Sequence, residues 1–279
     1  MVNRNGNLLA EQDAVGSLFS RAFRYGDGVF ESMLFHNGQL HFWEDHYFRL
    51  MAGMRILRMQ IPMHFTPEFL EEEVLRTIEA TALIDVPLRV RLQVNRAGGG
   101  WYLPDSESVD FFIQADALEG RVYAPEAGLR VDIFKDHLKP IQLLSSIKSC
   151  NAALYITAAI WARENELDDA LLLNEKKQVI ESVKSNLLVI DQEGKQLLTP
   201  SEHSGCLKGV MRKQVIRLAK SIGLQVVEKE ISPFDLLKVR EVWLTNSIRG
   251  VQWVQSYRTQ TYENHYALKM NEALRAQFH

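Results

Sequence analysis

At 279 residues, with 46% hydrophobic and 24% charged side chains, the chain has the composition of a soluble globular protein and the length for two domains. A formal net charge of −3 gives no electrostatic reason to expect nucleic acid or a membrane surface as the partner. Cys150 and Cys206 cannot build a disulfide framework and belong to no CxxC pair, which points to a reducing cytoplasm.

The opening MVNRNGNLLAEQDAVG has no apolar core of signal-peptide length, and no later segment reaches membrane-spanning length. Residues 29–42, VFESMLFHNGQLHF, read as two β runs around a turn at His36-Asn37-Gly38. Trp43, Tyr47, Leu50, Met51, Met54 and Leu57 then recur at helical spacing. A second helix is expected to open with Thr66 as N-cap and Pro67 in its first turn. Strands are expected over 87–95 and 109–116, joined by the turn NRAGGGWYLPD. The turn-rich LEGRVYAPEA marks a linker at 118–127, separating a domain at 1–117 from one at 128–279.

Beyond it come the strand LRVDIF, the stretch LLSSIKSCNAALYITAAIWA and a helix reaching about residue 165. Strand-like DALLL, VIES and NLLVID follow, then a helix opening near Lys208-Gly209 that packs Met211, Val215, Leu218, Ala219 and Ile222. Strand-like VVEKEI and EVWLTN and a last short helix complete the order. No internal repeat, low-complexity tract or heptad array is present. Strands and helices are mixed rather than strictly alternating, which argues against a doubly wound nucleotide fold.

Lys148 stands in a small, apolar neighbourhood. It is either a surface lysine at a strand-to-helix junction or a partly desolvated amine freed for Schiff-base chemistry. Glu181, in VIESVKSNLLVI, is either solvated on a strand or aimed at a cofactor's ring nitrogen. Gly209, Val210 and Met211 open a helix whose first-turn N–H groups favour an anion, and a glycine there would admit a phosphate to the backbone. Arg49 lies off its helix's apolar stripe, as a surface charge or as a phosphate clamp. The run Ala97-Gly98-Gly99-Gly100 is not a dinucleotide fingerprint, the scattered histidines imply no metal site, and no GxSxG elbow occurs. The runs EEE (71–73) and NEKK (174–177) read as solvated faces.

Seven motifs in order resemble the class IV family of pyridoxal-phosphate enzymes, which holds branched-chain aminotransferases, D-amino-acid aminotransferases and 4-amino-4-deoxychorismate lyase. They are RxxRYGDGVFES (21–32), HxxRL (46–50), LQVNRAGGGWY (92–102), KSxN (148–151), ExxxSN (181–186), CLKGVMR (206–212) and EVWLTNSIRGVQ (241–252). The resemblance implies an α/β (α+β) fold-type IV enzyme: a small N-terminal α/β domain, a larger C-terminal domain with a barrel-like sheet, and pyridoxal 5′-phosphate in the cleft between them. It also implies a homodimer in which the partner chain helps close the site.

By the same resemblance Lys148 forms the internal aldimine and moves the proton. Glu181 salt-bridges the ring nitrogen, and Leu207 packs on the ring. Arg49, Gly209, Val210, Met211 and Ser247 hold the phosphate. Asn151 belongs to the lysine motif without an assigned role. Relatives usually carry a threonine at the position of Met211, so one hydroxyl to the phosphate is missing. The turn GGGWY also lacks an arginine found in some relatives, and Arg249 is the favoured substitute for the substrate carboxylate. Arg96, Tyr102 and Arg24 are weaker candidates, each equally readable as structural, and Tyr25 and Phe30 are pocket candidates. The activity implied is transfer of an amino group between an amino acid and a 2-oxo acid. The rivals are pyruvate elimination from 4-amino-4-deoxychorismate and a non-enzymatic homologue.

Overall fold

A computed structural model describes every residue except Val15, Ile84, Pro125, Glu126 and His279. The chain divides into two units, one of Met1–Gly120 with Ile147–Ala152, the other of Arg121–Ser146 with Ala153–His279. The first holds β1 (Val2–Arg4), β2 (Asn7–Leu9), α1 (Arg21–Tyr25), β3 (Gly28–His36), β4 (Gln39–Leu40), α2 (Trp43–Ile56), α3 (Pro67–Thr81), β5 (Leu88–Arg96) and β6 (Val109–Ala117). Its sheet runs β2-β1-β6-β5-β3-β4, with every pair antiparallel.

Local chemistry accounts for these elements. Asn37 (φ 51°) and Gly38 (φ 73°) adopt the left-handed turn that joins β3 to β4. Thr66 caps α3 by accepting from the Phe69 N–H at 3.2 Å, with Pro67 in the first turn. One face of the sheet carries Val29, Met33, Leu88, Val90, Leu92 and Val94, all buried, and packs against Leu50, Met54, Leu70, Val74 and Ile78 of α2 and α3.

The second unit holds β7 (Leu129–Lys139), α4 (Ala153–Glu164), β8 (Asp169–Asn174), β9 (Val179–Ser182), β10 (Asn186–Ile190), β11 (Gln196–Thr199), α5 (Val210–Leu218), β12 (Gln225–Glu228), β13 (Glu241–Asn246), β14 (Gly250–Tyr257), β15 (Gln260–Thr261) and α6 (His265–Arg275). Its sheet runs β12-β11-β10-β13-β14-β7-β8-β9, and β15 pairs with β14. β9 returns to β10 through Asn186 opposite Glu181, which closes β10-β13-β14-β7-β8-β9 into a ring. This is the barrel-like sheet expected from the sequence. The parallel pairs β7–β8 and β11–β12 are bridged in sequence by α4 and α5.

The expected boundary at 118–127 differs from this division. Tyr123 is buried; its hydroxyl donates to the Ser247 carbonyl at 3.2 Å and its own carbonyl accepts from Arg275 at 2.5 Å. The chain from Arg121 therefore belongs with the second unit, and Pro125 and Glu126 of the expected linker lie outside the described residues. Lys148, expected within 128–279, counts with the first unit instead, because its segment is bonded to β3. Among the described residues no helix is long and apolar enough to cross a membrane.

Candidate functional site

The first unit explains why a lysine follows Ile147. Residues 147–150 run antiparallel to the start of β3: Phe30 N–H donates to the Lys148 carbonyl at 2.9 Å, and Cys150 N–H to the Gly28 carbonyl at 2.8 Å. Extended backbone alternates its side chains. Ile147 enters the apolar core, whereas Lys148 lies on the face of Phe30, its Nζ 4.5 Å from that ring's centroid. Arg91, which faces Ser32 across the β3–β5 ladder, stands over the same ring at 3.8 Å. Its guanidinium donates to Gln93 Oε1, and Gln93 donates in turn to Asn95 Oδ1. Burial lowers the Arg91 pKa and raises that of the Cys150 thiol, which Arg91 partly offsets. Gly28 is dictated by this packing, since a Cβ there would sit 2.3 Å from Asn95 Oδ1 and 3.2 Å from Cys150 Sγ.

The opposite face of β3 buries Glu31. Arg49 of α2 holds it bidentately, Nε to Oε1 at 2.8 Å and Nη2 to Oε2 at 2.5 Å, and His46 Nδ1 lies 2.6 Å from Oε2. Burial pushes the Glu31 carboxyl up, but Arg49 and His46 outweigh it and hold it at about 2. Burial lowers the His46 pKa, and the Nδ1–H of the neutral imidazole donates a hydrogen bond to Glu31 Oε2. Arg49 is thus fixed by Glu31, a residue of the motif to which the sequence reading gave no role.

Two expected substrate residues have other work. Arg96 is buried; it donates to Asp27 Oδ2 at 3.0 Å, to the Arg58 carbonyl at 3.2 Å and to the Leu57 carbonyl. These contacts tie β5 to the end of α2. Arg24 is exposed, with its guanidinium 5.0 Å from the Phe19 ring centroid. Arg21, passed over in the sequence, also binds Asp27 Oδ2 at 2.7 Å and holds the carbonyls of Gly99 and Trp101. The glycine turn is anchored in this way, and its tip stays open: Tyr102 is exposed, 5.8 Å ring to ring from half-buried Tyr25.

In the second unit the ring closure at Asn186 and Glu181 organises the remaining candidates. Glu181 is buried and accepts from Lys139 Nζ at 2.5 Å and Tyr155 hydroxyl at 2.9 Å on Oε1, and from the Leu207 N–H at 2.7 Å on Oε2. Asn186 donates Nδ2 to the Leu207 carbonyl at 2.8 Å. Leu207, expected to pack on a ring, is therefore pinned at both its amide and its carbonyl. Gly209 is the N-cap of α5 (φ −73°, ψ 130°), and a Cβ there would lie 1.7 Å from Asn186 Oδ1. The Asn186 side chain leaves no room for a Cβ at this position. Val210 and Met211 bury their side chains, which leaves their backbone as the part that faces the helix start. Asn246 Oδ1 accepts from the N–H groups of Ile248 and Arg249, fixing the turn that holds buried Ser247 and half-buried Arg249. Asn151 is exposed.

This donor set suits pyridoxal phosphate. A glycine-capped helix start favours an anion, a buried carboxylate can accept from a protonated ring nitrogen, and Lys148 is a primary amine on the face of the Phe30 ring. The model of the amino-transferase class IV family matches residues 28–257. A putative branched-chain-amino-acid aminotransferase of Methanocaldococcus jannaschii is 31% identical over 87% of this chain and 83% of its own length. An aminodeoxychorismate lyase of Vibrio harveyi is 29% identical over 84% of each chain. The structure of a branched-chain aminotransferase from Thermobaculum terrenum in its pyridoxal-phosphate form superposes with a TM-score of 0.87 at 20% identity, covering 98% of this chain and 92% of that one.

Proposed function

Because the chain belongs to the amino-transferase class IV family, whose enzymes use pyridoxal 5′-phosphate, we propose that it moves an amino group from an amino acid to a 2-oxo acid. The cofactor supplies an aldehyde that captures the amine and a ring that draws off the electrons of the broken bond. Lys148 would hold the cofactor through Nζ, and the same nitrogen, once free, would carry the proton. Glu181 accepts from the ring nitrogen. Arg49 and the backbone N–H groups of Val210 and Met211 take the phosphate, with Ser247 beside them. Leu207, Tyr25, Phe30 and Tyr102 line the site. Arg249 takes the substrate carboxylate, and Arg91 is the second candidate for that task. Arg96 and Arg24 drop out.

The observation that carries this reading is the alternation that sends Ile147 to the core and Lys148 to the face of Phe30 and Arg91. The Vibrio harveyi relative favours a second reading, elimination of pyruvate from 4-amino-4-deoxychorismate to leave 4-aminobenzoate, with Lys148 in the same role. We read the chain as a homodimer, supported by exposed apolar side chains at Leu18, Phe19, Phe23, Phe48, Trp101 and Leu103. The two free thiols, Cys150 and Cys206, support the cytoplasm.

Absorption spectra of the protein with pyridoxal phosphate, before and after single L- or D-amino acids, test the activity. Conversion of the aldehyde form to the amine form, with release of the matching 2-oxo acid, is expected for at least one donor and absent in Lys148→Ala. A spectrum unmoved by every donor, with 4-aminobenzoate formed from 4-amino-4-deoxychorismate, would overturn the transaminase in favour of the lyase.

A further inference from the structure

The proposed reaction has no task for Lys139, yet the second unit buries its ammonium against Glu181, with side chains only 5% and 3% exposed. Lys139 ends β7 beyond an irregularity in the β7–β8 pairing after Phe134. Its Nζ is 2.5 Å from Glu181 Oε1 and 5.4 Å from the Tyr155 ring centroid. Oε1 thus serves two donors, Lys139 and Tyr155, while Oε2 serves the Leu207 N–H. A carboxylate oxygen accepts about two hydrogen bonds, so the open position is on Oε2.

The other titratable groups here are Tyr155 of α4 and Cys206 before α5. Burial pushes both up, with Glu181 adding to the effect, so both stay neutral. Arg212 of α5 is engaged with Glu228 and the Pro200 carbonyl. Among the described residues, Lys139 is the cation in direct contact with Glu181.

A ring nitrogen that donates to Glu181 meets a carboxylate whose charge Lys139 already balances. Two cations sharing one carboxylate repel each other, and in a buried setting that repulsion is large. We propose that Lys139 is a positioning residue that shares Glu181 with the ring nitrogen of the cofactor and weakens that nitrogen's hold on its proton. The proposal rests on the reading of Glu181 as the ring-nitrogen partner. Lys139 then sets how strong an electron sink the bound ring is, without touching the ring.

The test is the ¹⁵N resonance of ring-labelled pyridoxal phosphate bound to the full chain, followed with pH. In Lys139→Met and Lys139→Gln the ring nitrogen should keep its proton to higher pH, with an affinity raised by about tenfold. Lys139→Arg, which retains the charge, should return it to the wild-type position. A lysine acting only through packing would not separate Gln from Arg in this way. Should the neutral variants fail to fold, the wild type still decides: the Lys139 ¹⁵Nζ resonance, assigned by its loss in Lys139→Arg, should move when cofactor binds. Equal ring-nitrogen behaviour in wild type and the neutral variants, or an unmoved Lys139 signal, overturns the proposal. A ring-nitrogen signal left unchanged by Glu181→Gln refutes instead the reading of Glu181 on which it rests.

Discussion

Gly209→Ala is the substitution whose cost can be worked most directly from the coordinates. The backbone at Gly209 (φ −73°, ψ 130°) is open to any residue, so the added methyl brings no conformational strain. It brings a collision. The new Cβ would stand 1.7 Å from Asn186 Oδ1 and 2.9 Å from Asn186 Cγ. Asn186 is 5% exposed and paired on both sides, with Thr245 and with Glu181, so its side chain can yield only by leaving the Leu207 carbonyl. Overpacking of this kind costs about 1–3 kcal/mol and the lost hydrogen bond about 0.5–1.5 kcal/mol, roughly 2–4 kcal/mol together. Denaturant unfolding of the variant should show that loss, and titration with pyridoxal phosphate should show weaker binding, because the displaced turn opens α5. Asn186→Ala removes the atoms that collide, so the double variant should be more stable than the sum of the single losses by about 1 kcal/mol or more. A Gly209→Ala protein within about 0.5 kcal/mol of wild type, or strict additivity in the double variant, would refute the packing argument.

Glu31→Gln should be most destabilising above pH 4.5. The folded carboxyl is held at about 2 against an ordinary 4.5, so its contribution is complete above the higher value and lost as pH falls through the lower. That contribution is on the order of 3 kcal/mol, and unfolding measured across acidic pH should show the gap between variant and wild type closing; a gap independent of pH would count against the Arg49 and His46 partnership. Arg249→Ala and Arg91→Met separate the two candidates for the substrate carboxylate. The one that binds it should raise KM by roughly tenfold or more, as expected for a hydrogen bond to a charged group, with cofactor affinity preserved. Unchanged KM in both would send the carboxylate elsewhere.

Much of the first unit was legible because its signals are local. His36-Asn37-Gly38 announced the hairpin, and Thr66-Pro67 announced α3. The strands β1 and β2 span three residues each, too few for alternation to register, and β14, which the sequence reading passed over, shifts its pairing with β7 between Val254 and Ser256. The site was legible by motif but not in its division of labour. Counting by two from Leu88 puts Val90, Leu92, Val94 and Arg96 on one face of β5 and Arg91, Gln93 and Asn95 on the other. That arithmetic was available in the sequence, and it removes Arg96 from the substrate side while admitting Arg91. The pairing of Glu181 with Lys139 offered no such signal, since 42 residues separate the partners and they meet only when β7 and β9 both flank β8.

Glu31 and Glu181 are built alike, and the likeness bears on why each is there. Both are strand residues, both are almost wholly buried, and each carboxylate receives three or more protein donors that include one cation. Desolvating such a group costs several kcal/mol, and apolar residues of similar size would often serve stability as well. Stability alone therefore does not account for two of them. Each instead fixes another element: Glu31 orients the Arg49 guanidinium from α2, and Glu181 seizes the Leu207 amide two residues before the N-cap of α5. The rigidity passes to the groups proposed to hold the phosphate. Asn186 completes the second arrangement by holding the Leu207 carbonyl, so the peptide units on both sides of Leu207 are gripped before any ligand arrives. A helix start prepared in this way loses little freedom on binding an anion, which is the physical advantage that offsets the cost of the buried charge.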